Sequence, residues 1–293
     1  MADIFVDDGS WAVDTDTVRI IPGSGRDVHE LRKTLGALEV PIHAIAGAAF
    51  EPARKGGCLR LRLRSGADPL TDIAAGALGA PADPYRLVIP KDRTGVAEYI
   101  AAEIRDLLAI SPPSGPLDGF LLPGPDLPVT ATAGDGTVSF DGARVHIEWT
   151  LFAKSAKQAA GPQEFPLSAI TGVEWKPQSG VGYGSLRFRV RGEGPTRSSE
   201  EDPRCLAWGI QRYGGTTALV AAAVHARLSG RTKETPAPAL PPAPASPSAS
   251  APPGPDVLIR RLSELGELHR AGVLTDEEFS AAKQTLLQRI SEL

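Results

Sequence analysis

The chain has 293 residues, is 42% hydrophobic and 23% charged, and carries a formal net charge of −4. This balance fits one to three ordinary folded domains and excludes a strongly basic nucleic-acid binder. No apolar run reaches the roughly 18 residues needed to span a bilayer, and the acidic start (Asp3, Asp7, Asp8) lacks the basic and apolar regions of a signal peptide, so a cytoplasmic location is expected. The two cysteines, Cys58 and Cys205, lie in separate apolar contexts and read as buried free thiols of a reducing compartment.

From the N-terminus, the first signal is a module written twice. The run Val40-Pro41-Ile42-His43-Ala44-Ile45-Ala46-Gly47 matches Phe165-Pro166-Leu167-Ser168-Ala169-Ile170-Thr171-Gly172 at an offset of 125. Phe50 and Pro52 match Trp175 and Pro177, and Val18-Arg19-Ile20 matches Val145-His146-Ile147. Order and spacing agree across the whole unit, which is the mark of an internal repeat. Residues 1–110 form copy one, 111–128 a Pro/Gly linker and 129–230 copy two; copy one is slightly acidic and copy two slightly basic.

Within each copy the pattern is strands followed by one helix. Residues 13–20 and 138–149 alternate apolar and polar, the second stretch with a turn at Asp141-Gly142. The runs Leu59-Arg60-Leu61-Arg62-Leu63-Arg64 and Leu186-Arg187-Phe188-Arg189-Val190-Arg191 predict half-buried strands with apolar residues inward and Arg60, Arg62, Arg64, Arg187, Arg189 and Arg191 outward. Asp83-Pro84 and Asp202-Pro203 follow at matching places. Closing helices are expected over residues 94–109, with Val96, Ile100, Ile104 and Leu107 on one face, and over 216–228, with Val220, Val224 and Leu228. The expected class is mainly β (α+β), with each helix packed on one end of a curved sheet or barrel.

That pattern, with the run from Pro166 to Lys176, resembles an uncharacterised actinobacterial family of one or two pleckstrin-homology-like domains ahead of a SHOCT segment. The resemblance implies a seven-stranded barrel capped by the helix in each copy, and no established activity. Copy one departs from it: Ala48-Ala49 stand where copy two has Val173-Glu174, and Phe50 where it has Trp175.

Residues 231–255 are almost entirely Pro, Ala and Ser. Such a segment cannot offset its ordering entropy and is expected to be a disordered tether. Residues 256–293 then read as a helical hairpin. Thr275 and Glu278 form a capping box, Leu274 and Phe279 a hydrophobic staple, and Gly272 a stop for the first helix. Leu262, Leu265 and Leu268 on the first helix, and Phe279, Ala282, Leu286 and Ile290 on the second, repeat at helical spacing. About 40 residues without metal or disulfide rarely fold alone, so this stripe is expected to meet another copy, a partner protein or the body of the chain. The run from Gly272 to Phe279, with Leu262, Leu265, Leu268, His269, Lys283 and Leu286, resembles the SHOCT domain. That resemblance implies oligomerisation or docking through Leu262, Leu265, Leu268, Leu274, Phe279, Leu286 and Ile290.

Motifs that carry chemistry are not found. Gly180-Val181-Gly182-Tyr183-Gly184 is followed by a strand and lacks the Lys-Ser/Thr of a phosphate loop. The five histidines, His29, His43, His146, His225 and His269, have no ligand partner at metal-site spacing. No catalytic, cofactor or metal site is therefore assigned. The expected function is a non-catalytic cytoplasmic adaptor whose tandem domains bind a protein or ligand and whose hairpin multimerises it. The arginine stripes are the candidate anion or partner contact, against the plainer reading that Glu164, Glu174 and Glu193 balance them on a solvated face. Contact with an anionic lipid surface through those strands is a second reading, and an enzyme a third.

Overall fold

In the computed structural model, residues 2–231 are described except 111, 113, 114, 116, 193, 195, 196 and 210–213. The tether and the hairpin, with Leu262, Leu265, Leu268, Leu274, Phe279, Leu286 and Ile290, lie outside the described residues.

Repeat one begins with a four-stranded antiparallel meander of β1 (Ala2–Val6), β2 (Gly9–Val13), β3 (Thr17–Pro22) and β4 (Leu38–Pro41). A second, three-stranded meander follows: β5 (Ile45–Ala53), β6 (Gly56–Leu63) and β7 (Arg86–Pro90). Helix α1 (Glu30–Leu35) joins β3 to β4, α2 (Pro69–Ala74) joins β6 to β7, and α3 (Thr94–Ile110) closes the repeat. Repeat two has the same plan. The four-stranded sheet is β8 (Val129–Ala133), β9 (Gly136–Phe140), β10 (Arg144–Trp149) and β11 (Gln163–Pro166). The three-stranded one is β12 (Ile170–Lys176), β13 (Gly184–Val190) and β14 (Cys205–Trp208). Helix α4 (Ser155–Ala160) takes the place of α1, and α5 (Thr217–Arg231) that of α3. The protein is thus mainly β. Among the described residues the ladders form two separate sheets per repeat and do not join into one closed ring.

Strand alternation produces the core directly. The apolar positions of β2 and β9 face inward at every second residue, and Leu59, Leu61, Leu186 and Phe188 are buried between the arginines of β6 and β13. Asp141 closes the β9–β10 turn by accepting from the amides of Ala143 and Arg144, both at 2.7 Å.

One buried ion pair ties the two sheets of each repeat together. In repeat two, Lys157 on α4 is fully buried. Its ammonium pairs with Asp135, donates to the carbonyls of Ser199 (2.7 Å) and Cys205 (2.6 Å), and lies 4.9 Å from the Trp149 ring centre. Asp135 sits in the β8–β9 turn and accepts from the amide of Ala207 on β14 at 2.9 Å. Beside it Gly134 has φ +53°, and a Cβ there would stand 2.0 Å from the Ala207 carbonyl oxygen, so only glycine fits. Repeat one repeats the device: Arg32 on α1, 4% exposed, pairs with Asp8 at 2.8 Å, and Asp8 accepts from the Val88 amide of β7 at 2.8 Å.

The repeats differ in how their helices are covered. Helix α3 buries one face, through Ala97, Ile100, Ala101 and Ile104. The sequence predicts a one-faced helix in repeat two as well, but every residue from Ala218 to Val224 is buried. The reason is α2 of repeat one, which packs on α5 and on β12, placing Leu70 and Ala74 in the core of repeat two. Asp68 caps α2, accepting from the amides of Leu70 (3.2 Å) and Thr71 (2.9 Å), and Pro69 occupies the first turn. Across the same contact, His225 Nε2 lies 2.7 Å from Asp72 Oδ2 and the Phe120 ring meets the imidazole edge-on.

Removing Lys157 would strand a buried carboxylate and two carbonyls. Lys157→Ala is expected to cost roughly 3–5 kcal/mol, read as a lower urea midpoint with unchanged slope.

Candidate functional site

The arginine stripes occupy equivalent strands, but their surroundings are not equivalent. In repeat two, Arg187 is 15% exposed and pairs with the fully buried Asp202, while its other nitrogen donates to the carbonyl of Arg197 at 3.0 Å. Arg204 completes the cluster, with Nε at 2.9 Å and Nη2 at 3.1 Å from the Asp202 carboxylate. Arg189 pairs with Glu174 on β12. Arg191 lies just beyond the end of β13 and is exposed. Of the acids expected to balance this stripe, Glu174 does so, Glu164 pairs instead with Arg144, and Glu193 lies outside the described residues.

Repeat one keeps the frame and loosens the pairing. Arg60 is half exposed and reaches Glu51 at 3.7 Å and Asp83 at 3.8 Å. Arg64 donates to the carbonyls of His43 (3.0 Å) and Gly115. Arg62 is exposed and has no ion pair among the described residues; its guanidinium lies over Gly47, whose Cβ position would be 3.6 Å from Nη2. All three line an open groove of about 1220 Å³ that also takes in α2 and the end of α3. Arg105 of α3 lines it too. The helix periodicity alone gave no sign of that, because only the tertiary placement of α3 brings Arg105 to the groove.

The two aspartates of the duplicated Asp-Pro turns accept alike from the amide two residues on, Tyr85 at 2.9 Å and Arg204 at 3.0 Å. Their charge environments diverge. Burial raises the Asp83 carboxyl above its usual range, and the Tyr85 amide and the Arg60 charge do not offset it. Burial also raises Asp202, but the Arg204 hydrogen bonds and the charges of Arg204 and Arg187 together outweigh it and hold the pKa below the usual range.

Several other sequence candidates are structural. Trp175 is 5% exposed and donates to Thr217 Oγ1 at 3.1 Å, anchoring the start of α5, whereas Phe50 at the matching place has no donor. Trp149 donates to the Gly161 carbonyl at 2.8 Å. Cys58 and Cys205 are both buried and free, and burial pushes the Cys205 thiol up to about 11. His29 caps α1 by accepting from the Leu31 amide at 3.1 Å. Among the described residues no group of three or more His, Cys, Asp or Glu could hold a metal ion, and no helix is long and apolar enough to cross a membrane.

Residues 11–105 and 138–225, one segment in each repeat, match the family model described as Domain of unknown function (DUF4429). The chain belongs to the DUF4429 family. Residues 260–287 match the Short C-terminal domain, within the segment read above as a hairpin. No curated protein matches the chain. The DUF4429 segments contain both arginine strands and both buried cation pairs except Asp8 and Asp135, which lie just ahead of each match.

Asp202 should make acid stability depend on repeat two. Its folded pKa lies below the unfolded value of about 3.9. Its contribution is therefore complete above about pH 4 and is lost as pH falls through the folded value. Between about pH 5 and pH 2 the melting temperature of the wild type is expected to fall more steeply than that of Asp202→Asn, which has no charge to lose.

Proposed function

We propose that this DUF4429 protein is a non-catalytic cytoplasmic adaptor. Its tandem repeats bind a partner or ligand, and its C-terminal segment joins copies together or docks them on another protein. The observation that carries the reading is the C-terminal segment itself. It matches the Short C-terminal domain, carries an apolar stripe at helical spacing through Leu262, Leu265, Leu268, Leu274, Phe279, Leu286 and Ile290, and is too small to bury that stripe alone. It follows residues 231–255, whose Pro/Ala/Ser composition favours a long reach. Joining weak binding sites in this way raises avidity through effective concentration.

The repeats are read as pleckstrin-homology-like domains. Four strands, then three, then one closing helix, occurring twice in that order, support this kinship. The kinship brings no activity with it, since fold does not fix function.

Light scattering separates assembly from its absence. The full chain is expected to have a larger mass than a chain ending at Thr235, and Phe279→Asp with Leu286→Asp in the full chain is expected to reproduce the smaller mass. Equal masses of all three at micromolar concentration would remove the assembly role.

A further inference from the structure

Repeat two serves as an internal control for repeat one. On β12, Glu174 stands in register opposite Arg187, and its carboxylate takes the diagonal neighbour Arg189. On β5 the same register place, opposite Arg60, is held by Ala49. The diagonal neighbour there is Arg62, which keeps its arginine and loses its carboxylate. An exposed cross-strand ion pair contributes little to stability, so its loss costs the fold little. What changes is the surface: one repeat presents a neutralised arginine and the other an available one.

That available arginine lies in a groove. The groove, about 1220 Å³ and open to solvent, has room for an organic ligand and is far larger than a bare ion needs. Its cationic lining is Arg60, Arg62, Arg64 and Arg105, against Glu51, Asp72 and Asp83. Arg60 lies 3.7 Å from Glu51 and 3.8 Å from Asp83, and Asp72 hydrogen-bonds His225 at 2.7 Å. The lining therefore keeps one net positive charge, and Arg62 and Arg105 make no ion pair among the described residues. Leu61, Leu63 and Leu108 supply apolar wall beside them.

We infer that the repeat-one groove binds a phosphate ester with an apolar body, anchored by Arg62. A guanidinium matches phosphate oxygens two at a time. Several cations in one groove favour the nearly divalent charge of a phosphate monoester, about −1.5 to −2, over the single charge of a carboxylate. The leucine wall selects against bare phosphate. The same chemistry could be presented by a soluble ester or by a lipid headgroup. Repeat two, with Arg187 and Arg189 both paired, does not share the site. This inference rests on the ligand-binding half of the adaptor reading and is independent of the assembly half.

Titration calorimetry on the full chain with phenyl phosphate and inorganic phosphate tests it. Phenyl phosphate is expected to bind at one site, at least tenfold tighter than inorganic phosphate. Ala49→Glu rebuilds the repeat-two pair on an exposed strand position, and this variant and Arg62→Ala are each expected to weaken binding at least tenfold with little change in melting temperature. Glu174→Ala should leave the affinity within threefold. No saturable binding at millimolar phenyl phosphate, or equal affinity in wild type, Ala49→Glu and Arg62→Ala, overturns the site. Vesicles of phosphatidylcholine carrying phosphatidate distinguish the sources: cosedimentation that phenyl phosphate displaces assigns the ester to a lipid headgroup, and phenyl phosphate binding without cosedimentation assigns it to a soluble molecule. Light-scattering masses read the assembly role separately, so either half can fail alone.

Discussion

A buried cation on a short helix, paired with a carboxylate in the first hairpin turn, holds each repeat in its shape. The carboxylate reaches two ways. It takes the cation on one side and a backbone amide of the last strand on the other, so the four-stranded and three-stranded sheets are joined at one polar point. Lys157 with Asp135, and Arg32 with Asp8, do the same work with different cations. Two buried charges rarely out-stabilise a well-packed apolar replacement, because desolvation offsets their attraction. Their value lies in geometry: an apolar contact tolerates sliding, whereas an ammonium held by a carboxylate and two carbonyls does not.

Much of the fold was legible in the chain. The repeat, the arginine strands and the closing helices follow from spacing and alternation, because apolar period reports which face is buried. Helices α1, α2 and α4 do not show in the apolar pattern. Six residues are too few for a period to show, yet Asp68-Pro69 carried a capping signal for α2. The buried pairs were also within reach, since Asp8 and Asp135, and Arg32 and Lys157, fall at the repeat's own offsets. Charged residues are read as exposed by default, and that default concealed them. The groove was not legible at all, because Arg105 and the arginines of β6 meet only through packing.

Divergence between the copies reaches the arginine strands and the start of the closing helix. Cores and ion-pair frames persist, while Ala49 replaces Glu174, Phe50 replaces Trp175, and Tyr85 stands where Arg204 grips Asp202. The frame constrains each substitution through packing, and the surface constrains it only through what binds there. A duplicated module can therefore keep one copy as support and change the other's chemistry at small cost to stability.

The docking of α2 on α5 gives the duplication a direction. The stretch Ala218–Val224, all alanine, valine and leucine and wholly buried, cannot leave its neighbour without exposing that surface. With α2 seated on the closing helix of repeat two, the two copies are not interchangeable beads. A second repeat separated from the first would expose that helix and be prone to aggregate. Tandem architecture here is thus a commitment rather than a count, with part of repeat one lying in the interior of repeat two.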